Sequence, residues 1–477
     1  MIFTSIIFLF YFLPVILGVY FITPYKFKNF VILIASILFY LWGAPKFIFI
    51  LLASCIVDHF IALKIINNHD SKKYLVIGVA LNILLLCYFK YANFISDNIS
   101  TIFNIFGMQS FFWNKVALPL AISFFTFRKI AYLVDIYKND AQPFKKLSDY
   151  LLFILFFPQL ISGPISRYKD MYNDIVDRRK NINIDNFYLG LIRFIFGFSK
   201  KVFIANVLEK YANFIFDGDY NLLSSSLAWL GMLAYTLQIY YDFSSYSDMA
   251  IGIARMLGFN LPENFDFPYI SQSTTEFWRR WHITLGNWLK NYVYIPLGGS
   301  RGTLRKTLIN LFLVFLISGI WHGSNWTFIV WGIIQGVFVI LDRLFLLKFY
   351  EKIGKFPSVL ITFFITNISW VFFRSSSIGK AVDYFKLMFS NQKLSCNFEL
   401  LEQLNVDNRL LFTILIALFF SFIKLFKISN KLENFIYNNQ KTIKMQFVQF
   451  ILFSILAILS VGEFVSADFQ PFIYSNF

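Results

Sequence analysis

Long apolar runs alternate with short polar joints along the whole chain. The first extends from Ile2 to Ile22, and others lie near 30–42, 45–66, 74–95, 115–134, 148–162 and 187–208. The second half adds 226–241, 308–322, 325–347, 357–373, 409–426 and 447–463. A helix needs about 20 apolar residues to cross a bilayer core, so these runs predict helices that span it or dip into it. Several are short or carry Pro and Gly, as at Pro119, Pro158 and Gly163-Pro164. A broken segment survives at that depth only where protein covers its backbone. The pattern predicts an all-α, polytopic membrane protein with about ten to thirteen membrane segments, some re-entrant.

Composition agrees. Hydrophobic residues make up 57% and aromatics 21%, with 63 Phe, and the mean hydropathy is +0.60. No soluble domain of this length needs so much apolar surface. The net charge of +16 does not imply nucleic acid, because Lys and Arg flank apolar runs as in cytoplasmic loops that meet anionic lipid. Cys55, Cys87 and Cys396 have no metal spacing, and two lie inside apolar runs, which argues against a disulfide framework. Heavy use of Lys, Asn, Ile and Phe hints at an AT-rich genome.

Charge also orients the chain. No basic residue precedes the first run, so it lacks the basic region of a secretory signal and reads as a retained helix. Lys26 and Lys28 place the following loop in the cytoplasm. Five lysines occur from Lys424 through Lys444, both included, and neither Lys nor Arg follows. The last helix is therefore expected to run outward, with both termini extracytoplasmic and an even number of full crossings.

The polar middle, Tyr240 to Gly302, holds the candidate chemistry. Two of four histidines stand in FWRRWHITL (Phe277–Leu285) and GIWHGSNWTF (Gly319–Phe328), as His282 and His322. An ionisable group at membrane depth is expensive and faces a pathway or a reacting group more often than lipid. Imidazole also suits proton transfer near neutral pH. Read as one helix, Thr275 to Tyr292 places Trp278, Trp281, Leu285, Trp288 and Tyr292 on a single face, an expected headgroup-level anchor. Arg279, His282, Gly286 and Lys290 fall on another. Arg279 and Arg280 suit the phosphates of a nucleotide-like cofactor or of lipid headgroups. Asp242 and Asp248 in YYDFSSYSDMAIG (Tyr240–Gly252) are read beside a helix start, where Asp242 orients a base or serves the helix N-terminus. The turn PLGGSRG (Pro296–Gly302) is weak evidence for phosphate binding.

The stretch from YYDFSSYSDMAIG to PLGGSRG resembles the core of the membrane-bound O-acyltransferase family. GIWHGSNWTF, FPQLISGPISRY (Phe157–Tyr168) and WVFFR (Trp370–Arg374) match it as well. The resemblance covers most of the chain and is closest to the bacterial alginate and peptidoglycan O-acetyltransferases. Teichoic acid D-alanylation relatives share the two histidine blocks without the PLGGSRG turn. It implies one integral membrane domain over 1–477, with a catalytic core at about 157–374 and an extracytoplasmic tail at 464–477. It implies His322 as the essential residue and His282 as its support. Lys290-Asn291 departs from the Arg-Asp usual in relatives, which touches any ion pair expected at that point but not the histidines.

The implied reaction takes acetyl from cytoplasmic acetyl-CoA, with no metal, and passes it outward for O-acetylation of a polysaccharide. Peptidoglycan is favoured and an alginate-like polymer comes next. His322 is the expected general base, and His282, Asn325 or an indole N–H could hold the oxyanion. Arg279, Arg280, Lys290 and Asn325 are the donor-binding candidates. The last six residues, FIYSNF (Phe472–Phe477), resemble the tail of the small partner protein in teichoic acid D-alanylation, which implies Tyr474 as an acyl carrier. An aromatic interfacial anchor is the other reading. Expected partners are membrane lipids and an extracytoplasmic acetyltransferase, with no nucleic acid, and the expected location is a bacterial cytoplasmic membrane. A lipid-linked sugar transporter and a non-catalytic scaffold are the rival functions.

Overall fold

The computed structural model describes residues 3–67, 70–109, 113–391, 408–438, 440, 442–466 and 471–473. Among them every regular element is helical. Eight helices are long and apolar enough to cross a membrane: Tyr25–Gly43, Pro45–Asn67, Ser71–Ile105, Leu304–His322, Trp326–Ile353, Lys355–Arg374, Asn408–Leu425 and Ile443–Ser466. The first predicted run appears as a shorter apolar helix, Phe8–Ile22. The four runs near 115–134, 148–162, 187–208 and 226–241 are helical too, but shorter, interrupted or more polar than the eight.

The chain folds as two compact units that interleave in sequence. The first comprises the described residues of Met1–Tyr188 and Ile253–Pro262. Its helices Ile48–Asn67, Ser71–Ile105 and Ile122–Tyr137 are pinned by buried polar groups. Lys129 pairs with Asp58 at 3.1 Å, and Asn82 donates to the same carboxylate at 2.9 Å. Partnering of this kind is what makes a charge tolerable away from water. The Arg178 side chain, also buried, donates to the Leu257 carbonyl at 3.0 Å and lies over the Phe259 ring. That tie holds the segment 253–262 in this unit.

The second unit, Leu189–Gly252 and Glu263–Ile473, carries both histidine blocks. Small residues set its close approaches. A Cβ on Gly332 would lie 2.6 Å from the Phe315 carbonyl, and one on Gly319 would lie 2.5 Å from that of Phe328, so the hairpin Leu304–His322/Trp326–Leu341 closes only with glycine at its crossing. Gly197 meets the Ser245 carbonyl in the same way, which draws Ile184–Lys200 onto Ser225–Met256.

Three expectations are corrected here. Thr275 to Tyr292 is not one helix: it forms Thr274–Arg280, a break at His282, Ile283–Leu289 and a wide π-turn at Lys290–Tyr294. The expected headgroup anchor fails with it, because Trp281 and Trp288 are buried and Trp281 stacks on Phe277 at 5.5 Å. Aromatic packing inside the protein wins over the lipid interface. Asp242 and Asp248 do not flank a helix start either; both lie deep in the 32-residue helix Ser225–Met256, buried and ion-paired.

Candidate active site

The site is built around a strained residue. His282 adopts φ 43° and ψ 52°, a left-handed conformation that a histidine enters at a cost. The incoming helix stops there, and the chain turns into Ile283–Leu289. Asn264 holds that break from two sides. Its carbonyl accepts from the Ile283 N–H at 2.9 Å. Its Oδ1 faces His282 Nδ1 at 3.0 Å and accepts from the Thr284 hydroxyl at 2.9 Å. The Asn264 amide nitrogen donates to Ser247 Oγ at 3.1 Å, which fixes its orientation.

This network settles the tautomer. Asn264 Oδ1 only accepts, so His282 Nδ1 carries the proton and Nε2 carries the lone pair. Burial pushes the His282 imidazole down to about 3, so the ring is neutral at physiological pH. With Nε2 an acceptor, His282 cannot donate to an oxyanion, which removes it from that list.

His322 ends the helix Leu304–His322 and is buried in an aromatic box. The Trp331 ring meets it edge-on at 5.0 Å and Phe373 at 5.3 Å. Trp321 bridges the two blocks: its ring centroid lies 4.9 Å from that of His322 and 6.3 Å from that of His282, so the histidines are at most about 11 Å apart. Two buried donors beside His322, the Trp331 indole N–H and the Ser318 hydroxyl, have no hydrogen-bond partner among the described residues.

The first helix of the WRRWH block is fastened to its neighbours. Asp342 accepts from the Thr275 N–H at 2.7 Å, and Trp278 Nε1 donates to Gln335, which donates to Ser369. A cavity of about 900 Å³ opens in the same unit, with Ser247 and Asn264 in its wall. Its other polar lining includes Arg193 and Lys200, both paired with Asp248 at 2.8 and 2.6 Å.

The remaining sequence candidates scatter. Arg280 is spent on Glu276 and Asp266, at 2.9 and 2.8 Å. Arg279 and Lys290 are exposed. Asn325 caps the following helix through Thr327 N, and its amide donates to the Ser376 carbonyl at 2.9 Å. Tyr474 lies outside the described residues, but Pro471–Ile473 just before it are described and enter the second unit. Sequence reading missed Asn264, in PENFDF, because a lone Asn in a loop carries no spacing signal.

Comparison with known proteins gives the family. The sequence model of the membrane-bound O-acyltransferase family matches residues 65–375. A protein of Pseudomonas aeruginosa named probable alginate O-acetylase AlgI is 42% identical over 400 residues, covering 82% of this chain and 75% of its own. The peptidoglycan O-acetyltransferase of Helicobacter pylori is 38% identical over 459 residues, covering 87% and 86%. The teichoic acid D-alanyltransferase of Bacillus subtilis is 29% identical over 247 residues, covering 50% and 60%. The chain belongs to the membrane-bound O-acyltransferase family and is an acyltransferase.

Proposed function

We propose that this protein takes acetyl from cytoplasmic acetyl-CoA and passes it across the membrane for O-acetylation of an extracytoplasmic polysaccharide, peptidoglycan first and an alginate-like polymer second. The observation that carries this is the pair of buried histidines on either side of Trp321, one held as a neutral acceptor by Asn264. An imidazole with a pKa of about 3 is a poor general base at neutral pH, because the best base has a pKa near the working pH. His282 Nε2 therefore orients a hydroxyl by accepting its hydrogen bond, and His322 takes the proton.

In this reading the hydroxyl is that of Tyr474. His322 accepts the phenolic proton as the oxygen attacks the thioester carbonyl. The Trp331 N–H, beside His322, stabilises the oxyanion. The tetrahedral intermediate collapses, the C–S bond breaks, and the imidazolium returns its proton to the departing thiolate. A phenol, with a pKa near 10, leaves more readily than a sugar alcohol, so acetyl-tyrosine remains an active donor. An extracytoplasmic acetyltransferase then moves the acetyl to the glycan and the tyrosine regains its proton. Arg279, in the WRRWH block, and Lys290, at the π-turn Lys290–Tyr294, are exposed and suit the donor's phosphates.

The test uses purified protein and acetyl-CoA labelled in the acetyl group. Label is expected on the C-terminal peptide of the wild type, and His322→Ala should abolish it while the protein stays inserted and folded. His282→Ala should lower it less. Label retained by His322→Ala would remove the base; no label on any protein or glycan would return the transporter reading.

A further inference from the structure

Helix Ser225–Met256 carries two buried faces in two turns, and the second is unexplained by the reaction. Phe243 meets the His282 ring edge-on at 4.7 Å, and Ser247 accepts from Asn264. The neighbouring positions Asp242 and Tyr246 meet the end of the chain. Asp242 Oδ2 accepts from the Ile473 N–H at 2.7 Å, and Asp242 Oδ1 from Lys201 Nζ at 2.6 Å. Lys201 also donates to the Pro471 carbonyl at 3.2 Å and lies 3.5 Å from Glu209. Phe472, between the two anchored residues, is 2% exposed. Its ring packs edge-on against Tyr246 at 5.1 Å, with the Lys201 ammonium 5.0 Å from its centroid.

We propose that Lys201 and Asp242 form a clamp for the C-terminal segment, holding Pro471–Ile473 on the same two turns that support His282. Both side chains are almost fully buried. A buried ion pair is stable only if its spare donors and acceptors are filled. Here the main chain of residues 471 and 473 fills them, one carbonyl to the lysine and one N–H to the aspartate. The pair is incomplete without the tail. Lys201 opens the π-turn Lys201–Ala205, a local widening of the helix of the kind that recurs at functional sites.

The spacing gives the clamp its meaning. Asp242 and Tyr246 are four residues apart on one helical face, and Phe243 and Ser247 occupy the adjoining one. Tail and imidazole therefore share a support, and Tyr474 is the next residue in the chain after Ile473. The clamp itself rests on described contacts; that it presents an acyl carrier rests on the reading of Tyr474 above. Lys201 and Asp242 are positioning residues, since they act through the tail.

Carboxypeptidase digestion of the full-length protein in detergent, followed by intact mass, tests the clamp without acyl chemistry. The wild type should lose residues only up to the anchored Ile473, slowly. Lys201→Met with Asp242→Leu, which removes both charges together, should be trimmed through Pro471 at least tenfold faster. Phe472→Ala, which leaves the ion pair intact, should fall between them and guards against a double variant that fails to fold. Equal trimming in Phe472→Ala and wild type, or rapid trimming of the wild type through Pro471, overturns the clamp. Labelled acetyl-CoA supplies the second arm. A protected tail that never acquires acetyl leaves the clamp standing and removes the carrier. Acetyl on Tyr474 that reaches wild-type rates in a variant with a fully released tail removes the positioning role.

Discussion

Asn264 decides what His282 can do. By accepting from Nδ1 it leaves the lone pair on Nε2, and burial keeps the ring neutral with a pKa of about 3. Asn264→Asp would place a carboxylate against that N–H and favour the imidazolium, raising the His282 pKa. Below the new pKa, Nε2 gains a proton and can no longer accept, so the acid limb of kcat/KM should move to higher pH. Asn264→Leu should lower kcat without moving the limb; an unmoved limb in Asn264→Asp would show that Asn264 does not work through the histidine. Trp331 offers a second test. Trp331→Phe keeps a ring beside His322 and deletes the free N–H, so kcat should fall about 10²-fold with little change in KM. A KM effect alone would make Trp331 a wall of the box and nothing more.

At the scale of elements, the hydrophobic pattern predicted most helices because length and apolarity are local properties. The eight long apolar helices fall on predicted runs. The break at His282 was not legible, since TTEFWRRWHITLGNWLKNY has no Gly or Pro before Gly286 and reads as one helix. Its cause is tertiary: Asn264, eighteen residues away, supplies the hydrogen bonds that make the left-handed turn affordable. The same reason hid Asp242 in mid-helix, where a partner from the chain end determines its role. The hairpin whose first helix ends in His322 depends on glycine in a way the apolar pattern did not show. A Cβ at Gly332 would meet backbone on the facing helix at 2.6 Å, and backbone cannot give way as a side chain can. Gly332→Val should therefore cost roughly 1–3 kcal/mol or more of stability, the range for an overpacked core. It should also displace His322, lowering activity at temperatures where the fold persists. A Gly332→Val variant with unchanged melting temperature and rate would contradict the close crossing.

Across the whole chain, charge was legible as a pattern but not as individual roles. Lys and Arg between the apolar runs gave an expected orientation, yet Arg279, Arg280 and Lys290 looked alike in the sequence and are not alike in the structure. Arg280 bridges Glu276 and Asp266, and Asp266 also receives Lys424, so Arg280 belongs to a structural network. Arg279 and Lys290 point a charge outward. If the donor is acetyl-CoA and its phosphates meet this surface, the three positions should respond differently. Arg279→Glu and Lys290→Glu should raise KM for acetyl-CoA several-fold with kcat nearly constant, and added salt should shrink the difference because exposed charges are screened within about 10 Å at 0.1 M. Arg280→Glu should lower kcat and melting temperature together, since it sets three carboxylates against one another where two pairs stood. Exposed cations that touch only lipid would leave KM unchanged in both outward variants, and the donor would then have to enter elsewhere.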